Sequence, residues 1–301
     1  MKPKPVRKAK TILENQHENH CPSPKGTLVI IGGKENKGED APSNKKKPSD
    51  FIKLEVLEAF KHATHKREPL IEVVTTASGE GTASFHDYQK VFEKIGITRV
   101  GQIHHNSREE VLADPMLERL KNADGVFFSG GNQLKLTGFY GGTEFLTYLK
   151  HRYIHEQIAV AGTSAGAMAL STPMIYAGNE DVQEFGGEIK LTTGLEFVKD
   201  VCVDTHFVHR GRFVRMAQVV ITNPTSIGLG IEEDTAVIIK NGSEMDVLGT
   251  GLVIIIEGFK ITSSSIKEFS EDKPVSARDL CVHLLKDGDT YLIPQVNPPH
   301  K

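Results

Sequence analysis

Val160-Ala161-Gly162-Thr163-Ser164-Ala165-Gly166-Ala167-Met168-Ala169-Leu170 runs from an apolar, strand-like segment through Gly-x-Ser-x-Gly into small helix-forming residues. A serine on a tight strand-to-helix turn projects its hydroxyl off the sheet, and glycines two before and two after it let neighbouring backbones pass without a Cβ clash. Ser164 is therefore the candidate nucleophile. The helix starting at Ala165 also aims free backbone N–H groups at the same place, which suits an oxyanion beside the serine. The same pentapeptide equally suits a small-residue turn that only packs a helix onto a sheet.

Upstream, strand and helix patterns alternate. Thr27-Leu28-Val29-Ile30-Ile31 before Gly32-Gly33 reads as a buried central strand ending in a loop. Residues 34–49 read as a solvated loop, and Asp50 is placed to cap a helix over 51–63 with Phe51, Leu54, Leu57 and Phe60 on one face. Strands over 70–76 and 99–104 and helices over 84–95 and 107–121 continue the pattern. The next strand, 125–128, enters Ser129-Gly130-Gly131-Asn132-Gln133. Ligands gather at the carboxyl ends of parallel strands, so Gly131 could supply a second oxyanion donor and Gln133 an amide to a substrate. Asn132 could equally be a helix cap. A helix over 144–156 leads to the serine strand. Strands alternating with helices imply an α/β fold with a mostly parallel sheet covered on both faces.

Downstream, Val201-Cys202-Val203-Asp204-Thr205-His206-Phe207 turns polar where a strand should end, delivering an aspartate and a histidine together. Arg210, Arg212 and Arg215 follow within ten residues. Three guanidiniums so close repel unless anions separate them, which suggests recognition of carboxylates or phosphate. The acidic turn Glu232-Glu233-Asp234 lies between two apolar strands. A serine needs a base and the base a carboxylate, so one acid here could orient the histidine, in the order Ser164, His206, Glu233; the acids could equally be turn residues. An α/β-hydrolase places its acid between serine and histidine, which argues against an ordinary lipase or esterase. Further strands are expected over 245–249, 251–257, 260–266 and 291–293, with a helix over 276–285, all extending the same domain. Asn241-Gly242 reads as a hairpin turn.

Four stretches, 128–133, 162–167, 204–207 with the three arginines, and 230–236, together resemble the cyanophycinase family of serine peptidases in order and spacing. The resemblance covers about residues 26–260. It implies a three-layer, flavodoxin-like sandwich related to class I glutamine amidotransferases, and hydrolysis of cyanophycin, a poly-aspartate bearing arginine on each β-carboxyl. It implies Ser164 as nucleophile, His206 as base, Glu233 as orienting acid, and Gln133, Asp204, Thr205, Arg210, Arg212 and Arg215 as the substrate pocket. It also implies a homodimer and no metal or organic cofactor. The family pattern more often has Asp in place of Asn132 and Gln in place of Thr205. The alternatives are an aspartyl or isoaspartyl dipeptidase and a non-catalytic binding protein of the same fold.

The chain of 301 residues is 38% hydrophobic and 25% charged, with formal charge −3, which argues against a nucleic-acid binder. No apolar run is long enough to cross a membrane. Three cysteines without Cys-x-x-Cys spacing indicate neither a disulfide framework nor a zinc ribbon, so a reducing, cytoplasmic setting is expected. Residues 1–25 carry too few apolar side chains to offset ordering and read as a mobile tail, with no apolar core for a signal peptide and no fixed geometry for a metal at His17, His20 and Cys21. Residues 26–301 read as one domain.

Overall fold

The computed structural model describes residues 22–37, 54–178, 189–266 and 275–294. Most of the expected tail, Asp50 and Phe51, and most of the loop beyond Lys37 therefore lie outside the described residues.

Five strands form the parallel part of the larger sheet in the order Arg99–Ile103, Leu70–Val74, Gly125–Phe128, Ala159–Thr163, Thr27–Ile31. Thr27–Ile31 then pairs antiparallel with Thr235–Lys240, and Glu244–Gly249 and Thr290–Leu292 complete eight strands. All five residues of Thr27–Ile31 are buried, as its unbroken apolar run requires of a strand with neighbours on both edges. Asn241 and Gly242 both take positive φ in the hairpin after Lys240, which is why Asn-Gly serves there.

Helices Glu55–Ala63 and Gly81–Lys94 bury Leu57, Phe60, Tyr88 and Phe92 on one face of this sheet around Phe127. Ring centroids of Phe60, Tyr88 and Phe92 stand 4.7–5.6 Å from that of Phe127, contacts worth about 0.5–1.5 kcal/mol each beyond area burial. On the other face one apolar cluster takes in Leu28, Ile30, Phe128 and Val160 and continues without a break into a second sheet. That sheet has the order Cys281–Leu285, Val253–Glu257, Ile227–Ile231, Val201–Thr205, Ser171–Thr172, Val198–Lys199. The downstream strands thus divide between two sheets rather than extending one.

Two expected helices are corrected. The helix over 107–121 is broken into Arg108–Ala113 and Leu117–Asn122. Pro115 lies between them, lacks an N–H and would clash with the carbonyl four residues back, and Met116 takes φ +50°. The helix over 276–285 is instead the strands Ala277–Arg278 and Cys281–Leu285. Pairing of Cys281–Leu285 with Val253–Glu257 overrides the helical look of the local sequence. The strand expected over 260–266 shrinks to Ser263–Ser264. Among the described residues no helix is long and apolar enough to cross a membrane.

Candidate active site

The elbow owes its shape to two close backbone approaches. A Cβ on Gly162 would lie 2.6 Å from the Gly166 carbonyl, and one on Gly166 would lie 2.2 Å from the Phe128 carbonyl oxygen. Both glycines of the pentapeptide are therefore sterically required. Between them Ser164 takes φ +51°, a costly conformation for a residue with a side chain, and its N–H donates to the Ile31 carbonyl at 3.1 Å. Ser164 follows strand Ala159–Thr163 and precedes the short helix Ala165–Ala169.

His206 reaches the serine from the second sheet. It follows Val201–Thr205 with φ +50°, and its N–H donates to the Gly32 carbonyl at 2.9 Å. Its Nε2 lies 3.0 Å from Ser164 Oγ, and its Nδ1 lies 2.7 Å from Glu233 Oε1. The three side chains, adjacent in no part of the sequence, thus form one hydrogen-bonded chain in the expected order. Glu232 points elsewhere: its Oε2 accepts from the Val208 and His209 N–H groups at 2.6 and 3.0 Å. Of the two successive acids, Glu233 is the one on the imidazole.

Electrostatics favour the neutral form of His206 and the ionised form of Glu233. Burial is the main cause pushing the His206 pKa below its ordinary value; the Glu233 hydrogen bond opposes it, and nearby Arg210 and Arg212 reinforce it. Burial pushes the Glu233 carboxyl up, but hydrogen bonds from Lys34 and His206 outweigh this and hold it below the usual range. The Lys34 ammonium lies 2.9 Å from the same Oε1 that accepts from His206.

The segment after the first strand is a keel for the whole site, and this is what the sequence reasoning missed. Gly32 N–H donates to Thr235 O at 2.9 Å and Gly33 O accepts from Asp234 N at 2.9 Å, which fixes the acidic turn beside the histidine. A Cβ on Gly33, at φ +99°, would fall 2.4 Å from His206 Cε1. Glu35 was expected in a solvated loop, yet it is 5% exposed. Its two oxygens accept from Tyr88 OH and Thr163 Oγ1, each at 2.6 Å. A buried Gly-Gly strand end followed directly by Lys-Glu was the available signal.

Ser164 opens into a cleft of about 380 Å³ lined also by Gly131, Asn132, Gln133, Ala165, Tyr176, Thr205 and the three arginines. Gly131 takes φ +139°, and a Cβ there would overlap the Ala77 carbonyl, to which Asn132 N–H donates at 2.9 Å. Among the described residues neither Gly131 N–H nor Ala165 N–H has a protein acceptor. Asn132 caps helix Gln133–Tyr140 by accepting from Leu134 N–H. Gln133 Nε2 donates to the Ile175 carbonyl at 3.0 Å, so its amide nitrogen holds the opposite wall instead of standing free.

Asp204 requires a correction. It was expected in the substrate pocket, but it is completely buried and does not line the cleft. Its carboxylate accepts from Arg212 Nη1 at 2.7 Å, from Arg215 Nε and Nη2 at 2.6 and 2.5 Å, and from Thr205 N–H at 2.9 Å. Asp204 is the anion that separates the clustered guanidiniums. Arg210 takes no ion pair among the described residues. The Thr205 hydroxyl is buried with no partner among them.

The family model for peptidase family S51 matches residues 46–247. The chain is 30% identical over 287 residues to the cyanophycinase of Synechococcus elongatus, covering 95% of this chain and 84% of that protein. It is 28% identical to the cyanophycinase of Trichormus variabilis, covering 97% and 95%. Among solved structures, a peptidase from an acI-B1 Actinobacterium superposes with TM-score 0.60 at 20% identity, over 90% of this chain and 98% of that one. A putative peptidase E protein from Listeria monocytogenes gives TM-score 0.51 at 18% identity, over 75% and 99%. At those identities the structural likeness speaks for the fold alone. With its serine elbow and with a family match over two thirds of its length, the chain belongs to peptidase family S51.

Proposed function

We propose that this protein is a cyanophycinase-type serine peptidase that cleaves β-linked aspartyl-arginine units through an acyl-enzyme. The observation that carries the reading is the unbroken chain Ser164 Oγ, His206, Glu233 opening into an arginine-lined cleft. Ser164 Oγ attacks the scissile carbonyl as its proton passes to His206 Nε2, and Glu233 holds the Nδ1–H of the resulting imidazolium. The Gly131 and Ala165 N–H groups receive the oxyanion. Collapse breaks the C–N bond, and the leaving amine takes the proton from Nε2. Water then gives a proton to His206, attacks the ester, and frees the acid and the Ser164 hydroxyl.

Charge supports the substrate class. Arg210, Arg212 and Arg215 line the cleft while the one acid among them, Asp204, is spent inside the wall. The cleft therefore attracts the carboxylates of a β-aspartyl unit, with Arg210 as the cation free to clamp them. Gln133 and Thr205 shape the walls. The continuous apolar cluster across both sheets supports a single domain over residues 26–301, and helices on both faces of the parallel strands support the flavodoxin-like three-layer description. We assign it as a homodimer on family likeness, and as cytoplasmic without nucleic-acid or membrane partners on its cysteine pattern, its formal charge of −3 and its lack of a long apolar run.

The test is incubation of purified protein with cyanophycin, β-aspartyl-arginine and α-linked aspartyl dipeptides, followed by product identification, beside the Ser164→Ala variant. β-Aspartyl-arginine release that disappears in a folded Ser164→Ala protein is expected. Preferential cleavage of neutral or α-linked dipeptides would overturn the substrate assignment, and retained activity in the variant would overturn the mechanism.

A further inference from the structure

In the second sheet, far along the chain from the serine, three side chains of metal-ligating type converge. Glu257 stands directly opposite Cys281 in the antiparallel pair of Val253–Glu257 with Cys281–Leu285. His283 is two residues beyond Cys281 and so shares its face. Cys281 Sγ lies 3.5 Å from His283 Nε2, and Glu257 Oε1 lies 3.4 Å from that same nitrogen. One ring nitrogen offers either a single N–H or a single lone pair, so it serves both neighbours only through a shared, long and weak contact. A catalytic relay would place the thiol and the carboxylate on opposite nitrogens of the ring. What serves all three atoms is a cation at their centre.

The spacing fits one class of cation. Tetrahedral zinc has bonds of about 2.3 Å to sulfur and about 2.0–2.1 Å to nitrogen and oxygen, which puts sulfur and nitrogen about 3.5 Å apart and nitrogen and oxygen about 3.3 Å apart. The observed 3.5 and 3.4 Å match those two edges, and all three ligand atoms lie within 4.8 Å of one another on two paired strands. We propose that Cys281 thiolate, His283 Nε2 and Glu257 carboxylate form a zinc site, with water as the fourth ligand. Tyr291 donates its hydroxyl to Glu257 Oε1, the kind of outer hydrogen bond that orients a ligating carboxylate. Binding replaces the Cys281 S–H bond with a sulfur–zinc bond and releases the proton to solvent, so affinity rises with pH. The site ties the outer strand Cys281–Leu285 to its neighbour and takes no part in the Ser164 chemistry.

The full-length protein, stripped with a chelator, is titrated with cobalt(II) as an optical probe and then with zinc in competition. One equivalent of cobalt giving thiolate charge-transfer and tetrahedral d–d bands, displaced by zinc, is expected. Loss of an outer-shell partner typically costs 10–100-fold in affinity, so Cys281→Ala and His283→Ala, which remove ligands outright, should each weaken binding by about a hundredfold or more. Both side chains are only partly buried, and equal metal-free melting temperatures would confirm that the variants fold. Zinc should raise the melting temperature of the unaltered protein and not that of Cys281→Ala. A triple variant, His17→Ala, His20→Ala and Cys21→Ala, should bind like the parent. Absence of stoichiometric binding at micromolar metal, or unchanged binding in Cys281→Ala and His283→Ala, would overturn the proposal.

Discussion

Asp204→Asn separates two roles for the aspartate two residues before His206. If Asp204 paired a substrate guanidinium, the substitution would leave stability intact and erase selection for arginine-bearing substrates. The structure predicts otherwise. The carboxylate has no exposure and accepts three hydrogen bonds from Arg212 and Arg215, whose side chains are 11% and 10% exposed. Asparagine is nearly isosteric, but one of its termini is an NH₂ that must face guanidinium donors. Charge-assisted bonds are worth about 1.5–3 kcal/mol each, and breaking a buried pair typically costs about 3–5 kcal/mol, so a destabilisation of about 3–5 kcal/mol follows. The loss comes mostly from the two cations left without an anion. Urea unfolding gives the stability, and kcat/KM on β-aspartyl-arginine and β-aspartyl-lysine gives the selectivity. Both substrates should decline together, because the arginine wall moves. A variant within about 1 kcal/mol of the parent that loses only its arginine preference would refute this reasoning.

Glu233→Gln should lower kcat by about 10³–10⁴-fold, because the amide neither fixes the His206 tautomer nor stabilises the imidazolium. Glu232→Gln should stay within about tenfold, costing about 1 kcal/mol through its two backbone bonds. The opposite ranking in steady-state kinetics would move the acid to Glu232. The proposed base, His206, would act when neutral, so its depressed pKa should place the acid limb of kcat/KM below the ordinary imidazole value of about 6.5. In Lys34→Gln the Glu233 carboxylate is no longer shared with an ammonium and pulls harder on the imidazolium, so the limb should move to higher pH; movement to lower pH would contradict the assignment. Gly33→Ala would place a methyl against the His206 ring, and since misplacement by about 1 Å can cost about 10²-fold, kcat should fall strongly with the fold retained by circular dichroism. Thr205→Gln should change the ratio of activities on arginine- and lysine-bearing β-aspartyl substrates by more than about twofold, a free-energy difference on the order of one hydrogen bond. A smaller change means that position 205 does not read the side chain.

The parallel half of the fold was legible because its cause is local. Thr27–Ile31, Gly125–Phe128 and Ala159–Thr163 are apolar runs with glycine at their ends, and a strand buried on both faces admits little else. The serine elbow was legible for a similar reason: only glycine fits at 162 and 166, where backbones approach within contact distance. Pro115 was in plain sight and still overruled the periodicity of 107–121 by removing an N–H. Which sheet each later strand joins was not legible, since pattern reports period and not partner; Cys281–Leu285 became a strand because Val253–Glu257 offered an unpaired edge. The fates of charged side chains depended still more on distant chain. Asp204 looked like a binding acid until burial put two arginines on it, and Glu35 looked solvated until Tyr88 and the Thr163 hydroxyl came to meet it, whereas Lys34 stays exposed while pairing with Glu233. Sequence by itself determined which residues could do chemistry, through residue type and backbone demands. Tertiary structure alone decided which polar groups lost water, and burial is what turns a carboxylate from a surface charge into a structural anchor.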